Sequence, residues 1–140
     1  MPDASLLPGP LRCVFVYGTL RKGGSNDITR LQPAPRFVGM SRIAGTLYHL
    51  GAYPGVVLGG AASVVGEVYA IEPALERRLD EIEGLFEEPG DEYFKREISV
   101  EVDGRVLDGL VYEINPRYWP GAACIDGGDW MREMARAPNA

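Results

Sequence analysis

The residue pattern predicts an α+β domain: a mostly antiparallel or mixed curved sheet, close to a small barrel, around one main helix. Three observations carry this. Several short runs are rich in β-branched and aromatic residues. One pair of such runs is joined by Asp103-Gly104, a two-residue hairpin turn. A single stretch, residues 73–84, repeats its apolar residues at helical spacing.

Taken in order, residues 11–17 read as a first strand through Cys13, Val14, Phe15 and Val16. A loop follows, with a short helix expected over 26–31. Residues 37–50 read as a long, bent strand, with Gly39 and Gly45 marking bulges. Residues 51–55 carry turn chemistry in Tyr53-Pro54-Gly55. The next strand is expected over 64–71. Helix 73–84 opens on Pro73, suited to its first position, and stops at Gly84. Its apolar stripe is Leu75, Leu79 and Ile82. Residues 93–102 alternate at Tyr93, Lys95, Ile98, Val100 and Val102, with a shift expected between Lys95 and Ile98. Residues 106–114 form the return strand, and 127–134 a loop with a short helix. The expected organisation is a flexible lead-in over 1–10, one domain over 11–134 and a flexible tail over 135–140.

The 140 residues suffice for one domain with a real core. Hydrophobic residues make up 46% and charged residues 24%, as in ordinary globular proteins. The net charge of -6 argues against nucleic acid and anionic membrane surfaces as partners. No apolar run approaches the roughly 20 residues of a membrane helix. The first residues lack a basic, then apolar, leader pattern, so the expected location is cytoplasmic. The two cysteines, Cys13 and Cys124, are expected as free thiols, Cys13 in a buried strand and Cys124 in a loop.

Glu83 breaks a local rule. It continues the i, i+4, i+8 row from Leu75 and Leu79, so it faces the core side. It also sits in the last helical turn, where the dipole disfavours a carboxylate. Burial and dipole both raise a carboxyl pKa, which suits a group that must accept and return a proton. The plain alternative is a half-exposed Glu at a helix end.

The first strand runs into Gly18-Thr19-Leu20-Arg21-Lys22-Gly23-Gly24. Such a loop presents free backbone N–H groups to an anion. Its glycine spacing is similar to a P-loop, but Gly24 stands where the phosphate-binding Lys belongs, which excludes nucleotide binding. A carboxylate or an oxyanion remains. The alternative is an ordinary strand-to-loop turn. His49 is the one histidine, which removes two-histidine metal sites, and no cofactor is expected. Acid–base chemistry then falls to a carboxylate.

Four segments together resemble the γ-glutamylcyclotransferase-like family, in its γ-glutamylamine cyclotransferase and AIG2-like branch. They are Tyr17-Gly18-Thr19-Leu20, the helix end Leu79-Asp80-Glu81-Ile82-Glu83-Gly84, Tyr93-Phe94-Lys95, and Ile125-Asp126-Gly127-Gly128-Asp129-Trp130. The resemblance covers nearly the whole chain and implies a small mixed or antiparallel β-barrel flanked by helices. It implies Glu83 as catalytic acid/base and Tyr17, Gly18, Thr19 and Leu20 as the loop holding the substrate's α-carboxylate. It implies Tyr93 as a pocket residue and Lys95 as a substrate contact where the family often has Arg; Arg96 is the neighbouring candidate. Asp126 is an added carboxylate in the late motif.

The implied partner is a small γ-glutamyl substrate. Its α-amine closes onto its own γ-carbonyl, giving 5-oxoproline and a free amine. The enzyme's task is to hold the reactive conformer and move protons, with no metal and no nucleophilic side chain. Two rivals stand. One is a binding module of the same fold that turns nothing over. The other is a Ser or Cys hydrolase built on His49, against which no Gly-x-Ser-x-Gly elbow is present. The leaving amine and the oligomeric state are left open by the residues, although the acidity leans toward a cationic amine.

Overall fold

The computed structural model describes residues 12–85 and 92–136. The expected lead-in over 1–10 lies outside them. Among the described residues six strands and two α-helices follow one another. They are β1 (Arg12–Val16), β2 (Arg36–His49), β3 (Pro54–Ile71), α1 (Pro73–Ile82), β4 (Tyr93–Val102), β5 (Arg105–Ile114), β6 (Ala123–Cys124) and α2 (Trp130–Arg136). The strands form one sheet in the order β4-β5-β1-β3-β2-β6. β1 and β5 pair in parallel and the other main ladders are antiparallel, so the sheet is mixed.

The sheet curls because β3 is long. Its second half pairs with β1, while Val56 near its start meets Glu113 of β5. Across the open side, the Ser41 hydroxyl of β2 donates to the Glu101 carbonyl of β4 at 2.7 Å. The result is a half-barrel with two helices, an α+β fold as expected.

Period-two alternation builds two cores, one on each face. Val14 and Val16 of β1 pack with Leu75 and Leu79 of α1, on the helix side. Phe15 and Tyr17, pointing the other way, pack with Val56, Val68 and Val111 inside the curl. β4 shows the same division. Tyr93 belongs to the helix side, and Val100 and Val102 belong to the curl. Its ladder with β5 is continuous from Tyr93 to Val102, so the expected shift after Lys95 does not occur. The apparent break is a change in which face is buried along a strand that passes from one core to the other.

Register shifts do fall at Phe37/Gly39 and Ala44/Gly45 of β2. Asp103 and Gly104 take φ values of 52° and 79°, the left-handed pair that a tight hairpin turn needs. β3 starts ten residues earlier than the sequence suggests, at Pro54 rather than 64. Gly55, Gly59, Gly60, Ala61 and Ala62 hide it, being weak strand formers. The ladder passes from Leu58 opposite Gly45 to Ser63 opposite Ala44, so residues 59–62 loop outward and are exposed. The helix expected over 26–31 is a 3-10 turn, Ile28–Arg30, and α2 reaches Arg136, beyond the expected domain limit.

Candidate active site

Where β1 ends, α1 stops and β4 begins, the three segments enclose a cavity of about 340 Å³. Tyr17, Gly18, Thr19, Leu20, Glu83 and Tyr93 all line it. Lys95 does not. It sits on the Tyr93 face of β4 but one pleat further on, under α1. There its Nζ lies 2.5 Å from Glu76 and 2.9 Å from Asp80. Two helix carboxylates claim that ammonium, so its expected substrate contact is corrected to an ion-pair role. Arg96 is no substitute: its Nε donates to Glu113 at 2.9 Å.

The helix stop places Glu83. Gly84 takes a φ of 76°, which only glycine adopts freely. Its N–H donates to Glu81 O and that of Leu85 to Asp80 O, both at 3.0 Å, a paired closure of the last turn. Glu83 is the capping residue directly after Ile82, and it lines the cavity. Among the described residues no donor reaches its carboxylate. Burial, and then the negative charge of Glu92, raise its pKa to about 7.

The loop after β1 is held from behind. Arg21 is buried, and its guanidinium donates to Glu67 at 3.0 Å and to Asp129 at 2.8 Å. Glu67 also accepts the Lys22 N–H at 2.9 Å and the Tyr69 hydroxyl at 2.8 Å. Burial alone would raise the Asp129 pKa. Hydrogen bonds from the Arg132 N–H and from Arg21 outweigh it, and the carboxyl lies below its ordinary value. So fixed, the loop turns the N–H groups of Gly18, Thr19 and Leu20 to no acceptor among the described residues. At Gly18 a side chain has no room, since a Cβ would meet Pro54 Cγ at 2.6 Å.

Four tyrosines complete the wall. Tyr17 donates to the Tyr112 carbonyl at 2.7 Å, Tyr93 to the Pro54 carbonyl at 2.8 Å and Tyr112 to Asp80 at 2.6 Å. Tyr53 donates to Glu92 at 2.5 Å; that bond first, then burial, pushes its pKa up to about 12. The sequence reading missed Arg21, Glu67, Asp80 and Asp129 as supports. Two signals were available: a carboxylate inside the apolar run of β3, and Asp80 one turn before Glu83.

His49 lies elsewhere. Its Nδ1 accepts the Gly51 N–H at 3.1 Å and its ring packs on Trp130. Both cysteines are free. Cys124 is exposed, and Cys13 is half-buried rather than buried as expected.

The fold and the cavity define a small curled α+β domain that sets an open carboxylate beside unbonded loop amides. The chain belongs to the γ-glutamyl cyclotransferase, AIG2-like family, whose model matches residues 14–132. It is 37% identical over 123 residues to a candidate γ-glutamylcyclotransferase of Vibrio cholerae, covering 86% of this chain and 96% of that one. It is 37% identical over 106 residues to the γ-L-glutamyl-butirosin B γ-glutamyl cyclotransferase of Niallia circulans, covering 73% of this chain and 66% of that one. Among solved structures it resembles YkqA of Bacillus subtilis, with a TM-score of 0.71 and 27% identity over 93% of this chain, which spans 44% of YkqA. The mouse AIG2-like protein aligns with a TM-score of 0.64 and 25% identity over 79% of this chain and 83% of that one.

Proposed function

We propose that this chain is a γ-glutamyl cyclotransferase that converts a γ-glutamyl amine or amino acid to 5-oxoproline, with Glu83 as its general acid/base. One observation supports the reading: a carboxyl group with a pKa of about 7 shares a cavity with three consecutive amides that meet no acceptor among the described residues. The amides of Gly18, Thr19 and Leu20 receive the α-carboxylate of the substrate. That anchors the glutamyl chain so that it folds back, with its α-nitrogen against its own γ-carbonyl.

The proton balance follows from the reaction. The α-ammonium gives a proton to Glu83 and becomes a nucleophile. Its nitrogen attacks the carbon of the γ-carbonyl group, forming the ring C–N bond and a tetrahedral oxyanion. The oxyanion collapses, the original amide C–N bond breaks, and the departing nitrogen is protonated. In total two protons leave the α-nitrogen and two reach the released ammonium. A carboxyl group that titrates near neutrality carries them in turn. No covalent enzyme intermediate is needed.

The test is incubation with a panel of γ-glutamyl amines and γ-glutamyl amino acids, with 5-oxoproline as the readout. Production from at least one conjugate is expected. If every member binds and none yields 5-oxoproline, the domain is a binding module and the reading falls.

A further inference from the structure

A tetrahedral intermediate carries an oxyanion, and a fixed donor must meet it. The cavity wall has few donors left to give. Each of its four tyrosine hydroxyls already spends its single proton on a protein acceptor: Tyr17 and Tyr93 on carbonyls, Tyr53 on Glu92 and Tyr112 on Asp80. Among the described lining residues there is no Lys, Arg or His. The amides of Gly18, Thr19 and Leu20 go to the α-carboxylate. The side-chain donors that remain are Thr19, Ser25 and Asn26.

Thr19 is held as a donor. The loop consumes its own carbonyls. Gly18 O accepts from the Arg21 N–H at 3.0 Å, Thr19 O from the Asn26 N–H at 2.9 Å and Leu20 O from the Ile28 N–H at 2.8 Å. Asn26 can return to Thr19 because Gly24 lacks a side chain; a Cβ there would collide with the Thr19 carbonyl oxygen. Asn26 then holds Thr19 a second time, its Nδ2 donating to Thr19 Oγ1 at 3.1 Å. A hydroxyl has one proton to give. With its oxygen accepting from Asn26, Thr19 keeps that proton for another acceptor, and it meets none among the described residues. Ser25 is exposed, and no described hydrogen bond fixes its hydroxyl.

The chemistry brings an acceptor within reach. In the forming ring, the carbon bearing the carboxylate and the carbon bearing the oxyanion are both bonded to the attacking nitrogen. The two anionic groups therefore lie side by side. A carboxylate held by the amides of residues 18–20 sets the oxyanion beside the side chain of the middle residue. We propose that the Thr19 hydroxyl donates to the γ-carbonyl oxygen as that oxygen gains charge, and that Asn26 is the positioning residue that keeps the hydroxyl turned toward it. This rests on the cyclotransferase reading above and adds the oxyanion donor to it. The oxygen takes the carbonyl electron pair when the ring C–N bond forms and returns it when the original amide C–N bond breaks. The Thr19 proton stays on Thr19 throughout.

The test uses the panel conjugate from which the native protein forms 5-oxoproline fastest. kcat and KM are measured for Thr19→Val, Thr19→Ser, Ser25→Ala, Asn26→Asp and the double variant of Thr19→Val with Asn26→Asp. Valine keeps the shape of threonine and the loop amides, so KM should stay within about threefold while kcat falls about a hundredfold. Serine restores the hydroxyl and should bring kcat to within about tenfold of native. An aspartate only accepts, so it draws the Thr19 proton to itself. Asn26→Asp should therefore lower kcat at saturating substrate by about tenfold or more, and should cost nothing further once Thr19 is valine. A merely structural contact would instead move the melting temperature and KM, with losses that add in the double variant. If Thr19→Val does not fold, Asn26→Asp carries the same test with Thr19 in place. An unchanged kcat in Thr19→Val, a loss confined to its KM, additive losses in the double variant, or a greater kcat loss in Ser25→Ala overturns the inference and leaves the cyclotransferase reading standing. If the native protein forms 5-oxoproline from no conjugate, that reading fails and the inference falls with it.

Discussion

Glu67 and Glu83 are the same side chain in two fates. Glu67 is buried, and three donors hold it: the Arg21 guanidinium, which also brings its charge, the Tyr69 hydroxyl and the Lys22 N–H. Glu83 opens on a cavity, meets no donor among the described residues and has a second carboxylate nearby. A carboxylate met by fixed donors from the loop after β1 holds that loop. One whose charge is disfavoured by burial and by Glu92 has its pKa raised to about 7, the range that the proposed acid–base role uses. The comparison shows that burial among fixed donors and burial without partners are different environments, and that the second raises the pKa of Glu83.

The largest expected effect falls on the saturated member. Arg21→Met leaves Glu67 buried without its cation and should cost about 3–5 kcal/mol of stability by urea unfolding. Combining it with Glu67→Leu should recover much of that loss, because the stranded charge goes too. A single-variant cost below about 1 kcal/mol would show that the network does not hold the loop.

Glu83→Gln comes next. Turnover should fall by a factor on the order of a hundred or more, while the fold and conjugate binding are kept. The sign of its stability effect follows from the raised pKa. The native protein holds a proton on Glu83 that the unfolded chain, near 4.5, releases sooner, so native stability declines between pH 4.5 and about 7. Gln imitates the protonated acid. The variant should therefore match the native melting temperature at pH 5 and exceed it at pH 8. Near-native 5-oxoproline formation in this variant would remove Glu83 from the mechanism.

Glu92→Gln acts on the environment of the open carboxylate. With the neighbouring charge gone, Glu83 ionises more easily. The acidic limb of kcat/KM, expected near pH 7 in the native protein, should move to lower pH. An unmoved limb would mean that burial sets the Glu83 proton without help.

Lys95→Met should change KM less than about twofold and cost about 0.5–1 kcal/mol, the scale of a partly exposed ion pair. A large rise in KM would return Lys95 to the substrate. The smallest effects belong to the sites that His49 and the thiols occupy. His49→Ala, Cys13→Ser and Cys124→Ser should each leave turnover within about a factor of two, and a collapse in any folded variant would revive the hydrolase reading.

Much of this was open to inspection in the residue order. The alternation of β1 sorts Val14 and Val16 from Phe15 and Tyr17, and that sorting is local geometry. Pro73 and Gly84 bound the helix through their own backbone preferences, and so place Glu83 at its end. Asp103-Gly104 makes its turn by the same kind of rule. The loop after β1 is marked by Gly18, Gly23 and Gly24 in its composition. What resisted was of another kind. The early half of β3 is a strand because its neighbours β2 and β5 supply ladders, not because Gly55 or Ala61 favour one. Lys95 was misread because its carboxylate partners come from a helix folded over it.

The difference between Glu67 and Glu83 also belongs to the tertiary structure. Residue order puts one glutamate in an apolar strand and the other at a helix end, and marks both as unusual. It does not tell which will be met by a cation. Arg21 reaches Glu67 across 46 residues and Asp129 across 108, whereas Glu83 is left with Glu92. Desolvation and Coulomb forces act through space, so which carboxylate is paired and which has its pKa raised is decided only when the chain has closed around both.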